Sequence, residues 1–278
     1  MTGSDNKESS LAMEERASLS EIQASINEVT NNTRDQNAFL ARVLLDVPTE
    51  KVIELRNALN SYALDTRRNQ QCLTYDLLES HQNRHVKDKL LKFQILGRWP
   101  NQQIYESYML GPDLAKFAYH LISNRLIDGI GCITMLVKLN GTHDQYLQLQ
   151  QMHDYKNDAS MIKEPYYVFT RERLVKKEHD ARTVCDQMCE YADLVKEKDP
   201  NCRFYEIYRP IRFKGTETIL EIAFWLSEER YLEYLKSPII VKYQEKCMYF
   251  DYNHKPDFWL LQPDGLLPEL TTKELTSA

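Results

Sequence analysis

Residues 99–117 read WPNQQIYESYMLGPDLAKF, and residues 225–243 read WLSEERYLEYLKSPIIVKY. Aligned without a gap, they share Trp99/Trp225, Tyr105/Tyr231, Tyr108/Tyr234, Pro112/Pro238 and Lys116/Lys242, and Phe117 meets Tyr243. Shared amphipathic spacing alone does not match Trp, two Tyr, Pro and Lys in register, least of all when the chain holds only 3 tryptophans. The chain therefore reads as an internal duplication.

Working outward, each stretch closes a strand and opens a helix. Before the first, Leu91, Phe93, Ile95, Gly97 and Trp99 share one strand face, with Leu90 and Leu96 on the other. Upstream, Phe39, Ala41, Val43, Leu45 and Val47 alternate as a strand. Pro48, Thr49 and Glu50 then supply helix-start chemistry, and Val52, Leu55, Leu59 and Tyr62 form a helical stripe. Cys72-Leu-Thr-Tyr-Asp-Leu-Leu is strand-like, residues 101–125 read as one helix, and Cys132–Leu139 as a strand. The order β-α-β-β-α-β is that of a ferredoxin-like unit.

It returns in the second half: a strand over Tyr167–Val175, a stripe of Val184, Met188, Tyr191 and Val195, and Cys202-Arg-Phe-Tyr-Glu-Ile-Tyr answering the strand at Cys72. Helices on one face leave the other face of each sheet bare, and that face must be covered. A second copy is the nearest cover. The expected fold is therefore α+β: two ferredoxin-like units packed sheet to sheet, their inner faces apolar, as an intramolecular dimeric α+β barrel. The expected boundaries are a polar segment over 1–37, units over 38–140 and 165–265, a linker over 141–164 and a tail over 266–278. In the polar segment, Leu19, Ile22, Ile26 and Val29 are spaced for a short amphipathic helix.

Composition sets the outer limits. The chain has 278 residues, 42% hydrophobic and 27% charged, which is ordinary for a globular protein of one or two domains. Lys+Arg 35 against Asp+Glu 41 gives a net charge of −6, so neither nucleic acid nor an anionic membrane is an expected partner. No apolar run approaches the ~20 residues of a membrane span. MTGSDNKESS lacks the basic and apolar regions of a signal peptide, and the 6 cysteines form no CxxC pair. A reduced, cytoplasmic protein is expected. No dinucleotide, P-loop, serine-hydrolase or zincin motif occurs, and His81 with His85, or Cys185 with Cys189, lack the remaining ligands of a metal site.

The pattern W-x5-Y-x-x-Y-x3-P-x3-K-[FY] after a strand resembles the antibiotic biosynthesis monooxygenase-like (ABM) family of the dimeric α+β-barrel superfamily. The resemblance covers roughly 38–140 and 165–262. Members are usually single units that pair through their sheets, and this chain resembles a tandem version. The superfamily includes cofactor-free monooxygenases, haem-degrading enzymes, isomerases, cyclases and members without known activity. Tyr108 and Tyr234 stand where many relatives carry a histidine, and LARVLLDV (40–47) lacks the asparagine of the haem-degrading branch. Haem chemistry is therefore disfavoured, since an ordinary tyrosine ionises only near pH ~10.

What the resemblance implies is a cofactor-independent monooxygenase-like protein acting on a small aromatic or polyketide-like substrate in a barrel cavity. The alternatives are a non-catalytic small-molecule binder or scaffold of the same fold, and an isomerase or cyclase without O₂. Tyr108, Tyr234 and Glu221 are the catalytic candidates. Trp99, Trp225, Tyr75 and Tyr205 are the substrate-binding candidates, with core packing as the other reading of the tryptophans and β-propensity that of the strand tyrosines. Glu221 shares a strand face with Trp225. Turned inward it is a buried base with a raised pKa, and at the rim it is a partly exposed carboxylate. No metal or cofactor is expected, and a homodimer is a further option.

Overall fold

The computed structural model describes residues 38–69, 72–84, 90–140, 164–177, 179–210, 218–253 and 255–268. The N-terminal stripe, most of the linker and His85 lie outside these residues. In the first half, β1 (Phe39–Pro48), α1 (Val52–Asn69), β2 (Thr74–Ser80), β3 (Leu90–Trp99), α2 (Gln102–Met109), α3 (Pro112–Ser123) and β4 (Gly129–Lys138) follow one another. The second half repeats them as β5 (Tyr166–Val175), α4 (Ala181–Lys198), β6 (Cys202–Pro210), β7 (Thr218–Trp225), α5 (Glu228–Tyr234) and α6 (Ile239–Lys246), then β8 (Phe250–Asn253) and β9 (Asp257–Leu261).

Local chemistry explains these elements. Val52, Leu55, Leu59 and Ala63 recur at helical spacing and are the buried stripe of α1. Asn101 and Ser227, equivalent in the two halves, cap α2 and α5 by accepting from the backbone N–H of Ile104 and Arg230. The single helix expected over 101–125 is two. Pro112 has no N–H to continue the ladder, so α2 ends at Met109 and α3 begins at Pro112. No helix among the described residues is long and apolar enough to cross a membrane.

The sheets close on each other. Strand order is β7-β6-β4-β1-β3-β2-β9-β5, and an antiparallel β5–β7 pairing completes the ring, with β8 extending the β9 edge of β5. Two joints connect the halves: β4 to β6 at Leu136↔Pro210, and β2 to β9 at Ser80↔Trp259. Each joins the last strand of one half to the second strand of the other, as a pseudo-twofold relation requires. The chain is an α+β fold of two ferredoxin-like units packed sheet to sheet into an intramolecular dimeric α+β barrel.

Strand alternation sorts the side chains into three groups. Odd-numbered residues of β1 and β3 face the first half's helices, and their equivalents on β5 and β7 face the second half's. The alternate positions fill the lumen, among them Leu40, Leu96, Leu136, Val168, Ile222 and Trp259. The inner face is not simply apolar, however. Leu90 is 38% exposed, whereas Arg98, Asp76 and Glu206 are fully buried between the halves. Arg98 donates to Asp76 Oδ2 at 2.7 Å and Thr74 Oγ1 at 3.1 Å on its own half. It also donates to Glu206 Oε2 at 2.8 Å and the Tyr208 hydroxyl at 3.2 Å on the other. Lys138 lies 3.1 Å from Glu206 Oε1, and the Arg98 guanidinium sits 5.5 Å over the Phe224 ring. At the far end Arg42 pairs with Glu172 and donates to Gln94 Oε1 at 3.0 Å.

The end of the described chain also differs from expectation. Of the tail expected over 266–278, Leu266 and Leu267 are buried in the first half's core. Asn60 of α1 exchanges two 2.9 Å hydrogen bonds with the Leu267 backbone, and Arg67 donates to the carbonyls of Asp264 and Gly265. The segment straps the second half onto α1 of the first.

Burial alone raises the Glu206 pKa, but the charges of Arg98 and Lys138 outweigh it and hold the group at about 2, below its ordinary 4.5. A depressed carboxylate contributes stability that is complete above pH 4.5 and lost as pH falls toward 2. Glu206→Gln is expected to flatten the acid limb of a denaturation curve over that interval. At pH 7 it should cost about 3–5 kcal/mol, because Arg98 and Lys138 lose their shared partner. Urea unfolding at stepped pH measures both.

Candidate functional site

Between β1–β3 and the helices α2 and α3 lies a cavity of about 240 Å³. Its floor is strand side chains, including Ala41, Val43, Ile95 and Gly97, and its roof includes Leu114 and Phe117 of α3. Trp99, Tyr75 and Tyr108 stand at one side. It lies outside the barrel. The lumen between the sheets is packed with the side chains described above.

Gly97 makes room for the indole. A Cβ there would meet Trp99 ring carbons at 2.3 and 2.6 Å, so the indole lies across the glycine. The aromatic groups then lock together. Tyr105 and Tyr108 each have ring centroids 4.9 Å from Trp99, and Tyr75 is edge-on at 6.3 Å. Tyr62 of α1 stacks on Phe117 at 3.8 Å and donates to the Tyr108 hydroxyl at 2.9 Å. Burial raises the pKa of Tyr75 and, reinforced by neighbouring phenols, that of Tyr108, and burial pushes Tyr105 up to about 12. Trp99 is 1% exposed, and its buried indole N–H meets no acceptor among the described residues.

The second half has the same frame with different contents. Because Phe39 faces Trp99 and Tyr167 faces Trp225, the registers make Ala41, Val43, Leu45, Ile95 and Gly97 equivalent to Phe169, Arg171, Arg173, Glu221 and Ala223. Four of these changes enlarge the side chain or add charge at the cavity floor, and Ala223 stands in place of the glycine. The cavity left beside Trp225, Tyr205 and Tyr234 is about 50 Å³. Trp225 is again 1% exposed with an unpartnered N–H, and its ring lies 4.5 Å from Tyr234. The hydroxyls of Tyr191 and Tyr234 bond to each other, repeating the Tyr62–Tyr108 pair.

Glu221 faces inward and is fully buried, not partly exposed at a rim. Its oxygens are engaged all the same: Arg173 Nε binds Oε1, and the Tyr205 hydroxyl donates to Oε2 at 2.9 Å. Both oxygens are committed within the protein, so the geometry gives Glu221 the role of neutralising Arg173. The seven candidate residues therefore group around two separate cavities. Trp99, Tyr75 and Tyr108 line the open one and Trp225, Tyr205 and Tyr234 the filled one, while Glu221 lies beneath the latter, bonded to Arg173 and Tyr205. Sequence reasoning missed the Tyr62 and Tyr191 hydroxyls, placing both only in apolar stripes, although α1 and α4 aligned from their first residues bring the two into register. It also missed Arg171 and Arg173, whose strand reads as a poorer copy of β1.

No family model matches the chain, and no curated protein matches it. Solved structures do. A "putative monooxygenase" from Lactobacillus acidophilus NCFM aligns at a TM-score of 0.55 and 11% identity, covering 84% of this chain and 98% of that one. A protein of the same description from Fusobacterium nucleatum gives a TM-score of 0.57 at 11% identity over 83% and 96%. An anthrone oxidase-like protein gives 0.52 at 12% over 82% and 92%. At such identities the likeness is one of fold, that of the dimeric α+β barrel.

Proposed function

We propose that the chain is a cofactor-independent oxygenase whose substrate, a small aromatic bearing a ketone or phenol oxygen, binds in the first half's cavity. The observation that carries this reading is the makeup of that cavity. About 240 Å³ of apolar and aromatic wall carries few polar groups, and these are donors: the unpartnered Trp99 indole N–H and the phenols of Tyr75, Tyr105 and Tyr108. Burial keeps these phenols protonated at neutral pH, so they donate hydrogen bonds and do not abstract protons. A flat, apolar ligand with acceptor oxygens matches such a wall. The solved structures of like fold whose names refer to monooxygenase or anthrone oxidase add support.

In an anthrone-like substrate the methylene opposite the ketone loses a proton to solvent water, and the negative charge spreads onto the ketone oxygen. Donors fixed beforehand in an apolar site stabilise that charge more than water does. The carbanion then passes its electrons to O₂. One oxygen atom forms the new C=O, and the other leaves as water with the two methylene hydrogens. The protein's part is to bind, orient and stabilise the anion.

One observation favours a second reading, binding without turnover. Among the described residues lining the cavity, none is a carboxylate or histidine that could take the proton. Oxygen-electrode measurements with anthrone separate the two. Turnover predicts protein-dependent O₂ uptake that falls about a hundredfold in Tyr108→Phe, the scale of losing one oxyanion donor. Anthrone bound with no uptake establishes the binder, and no binding at all overturns both.

Two further outcomes are expected. Gly97→Ala should force the indole off its seat, costing about 1–3 kcal/mol of stability and most of the anthrone affinity, read by thermal shift and fluorescence titration. Between pH 9 and 11, where ordinary phenols ionise, Tyr75 and Tyr108 should stay protonated. Their Phe variants should then leave the 295 nm absorbance rise over that interval unchanged.

A further inference from the structure

One residue governs the cavity wall without belonging to it. Tyr62, on α1, is not part of the lining, yet its hydroxyl donates to that of Tyr108 at 2.9 Å. Two ring contacts fix where that hydroxyl sits. The Tyr62 ring stacks on Phe117 of α3 at 3.8 Å with the planes 5° apart, and meets Tyr75 of β2 edge-on at 6.0 Å. Tyr62 is thus tied to α2 through its hydroxyl and to α3 through its ring.

The direction of the hydroxyl bond matters, because a phenol has one proton to give. Tyr62 gives its proton to Tyr108, so the Tyr108 oxygen serves Tyr62 as acceptor and the Tyr108 proton must point elsewhere. Tyr108 is buried and lines the cavity. Burial raises the pKa of Tyr62, so it keeps the proton that it donates. Linked hydroxyls polarise one another, and one that accepts becomes a stronger donor. The Trp99 indole beside it can only donate. In the second half the counterpart of Tyr75 is committed differently: Tyr205 gives its proton to Glu221 at 2.9 Å. The first half has Ile95 at the place of Glu221, and its side chain accepts nothing.

Resting on the reading of this cavity as the ligand site, we propose that Tyr62 is a positioning residue that sets its specificity. By donating to Tyr108 it turns that phenol's proton toward the bound molecule. The cavity then selects molecules carrying an acceptor oxygen, such as a ketone or phenolate, over molecules of the same shape without one.

Anthrone and dihydroanthracene, which has the same ring frame and no carbonyl oxygen, test this in fluorescence titrations against the full chain. Tyr62→Phe keeps the ring and its stacking and removes only the hydroxyl. It is expected to weaken anthrone about three- to tenfold, the worth of one hydrogen bond, and to leave dihydroanthracene within about twofold. In a Tyr108→Phe background Tyr62→Phe should change neither, because its hydroxyl has already lost its acceptor. Equal losses for the two compounds would show that Tyr62 only packs, and would overturn the proposal. So would an anthrone affinity unchanged in Tyr62→Phe, losses from the two substitutions that simply add, or an unaltered chain that does not distinguish the compounds. If the unaltered chain binds neither compound, the cavity fails as a ligand site and the proposal fails with it. Binding without O₂ uptake removes the oxygenase alone, since an oriented Tyr108 serves a binder equally.

Discussion

The fold depends on what covers the inner face of each four-stranded sheet, and the cover is specific because it is partly ionic. Arg98 is fully buried and divides its donors between Asp76 on its own half and Glu206 on the other. Lys138 of the first half meets the same Glu206. Apolar burial holds the two sheets together without choosing an alignment, whereas these groups are satisfied in one register and costly in others. The β4–β6 and β2–β9 joints are short, so much of the fixed relation between the halves falls to the lumen.

With the inner faces committed to each other, a ligand cavity must lie on the outer faces, under the helices. There the two copies have diverged in opposite directions. The first keeps small or aliphatic residues on the strand floor and a glycine beneath its tryptophan. The second has Arg171, Arg173, Glu221 and Ala223 in their places, and its cavity is about 50 Å³ against about 240 Å³ in the first. The buried Arg173–Glu221 pair carries out in one half the space-filling that a ligand would carry out in the other.

Much of this is legible in the chain. The strand-then-helix order, the matched Trp, Tyr and Pro positions and the apolar periods all depend on local spacing, and local spacing survives in a sequence. What is illegible depends on partners distant in sequence. Asp76 and Arg98 read as ordinary polar alternation until the other half supplies Glu206 and Tyr208. The Tyr62–Tyr108 bond joins residues 46 apart on different helices, and neither spacing nor propensity encodes it. Strand alternation places Glu221 on the Trp225 face, but its role turns on Arg173 of the neighbouring strand, which no pattern along β7 could reveal.

The guanidinium of Arg98 over the ring of Phe224 bears on which halves can pair. These residues are counterparts, each just before the tryptophan of its half, and Asp76 and Glu206 are counterparts likewise. Two copies of the second half would face each other with paired carboxylates and neither arginine nor ammonium between them. Two copies of the first would set guanidinium against guanidinium, with the shorter aspartate where glutamate now reaches. With these side chains in place, either half paired with a copy of itself would bury charge that nothing matches, so each half is complementary to the other and not to itself.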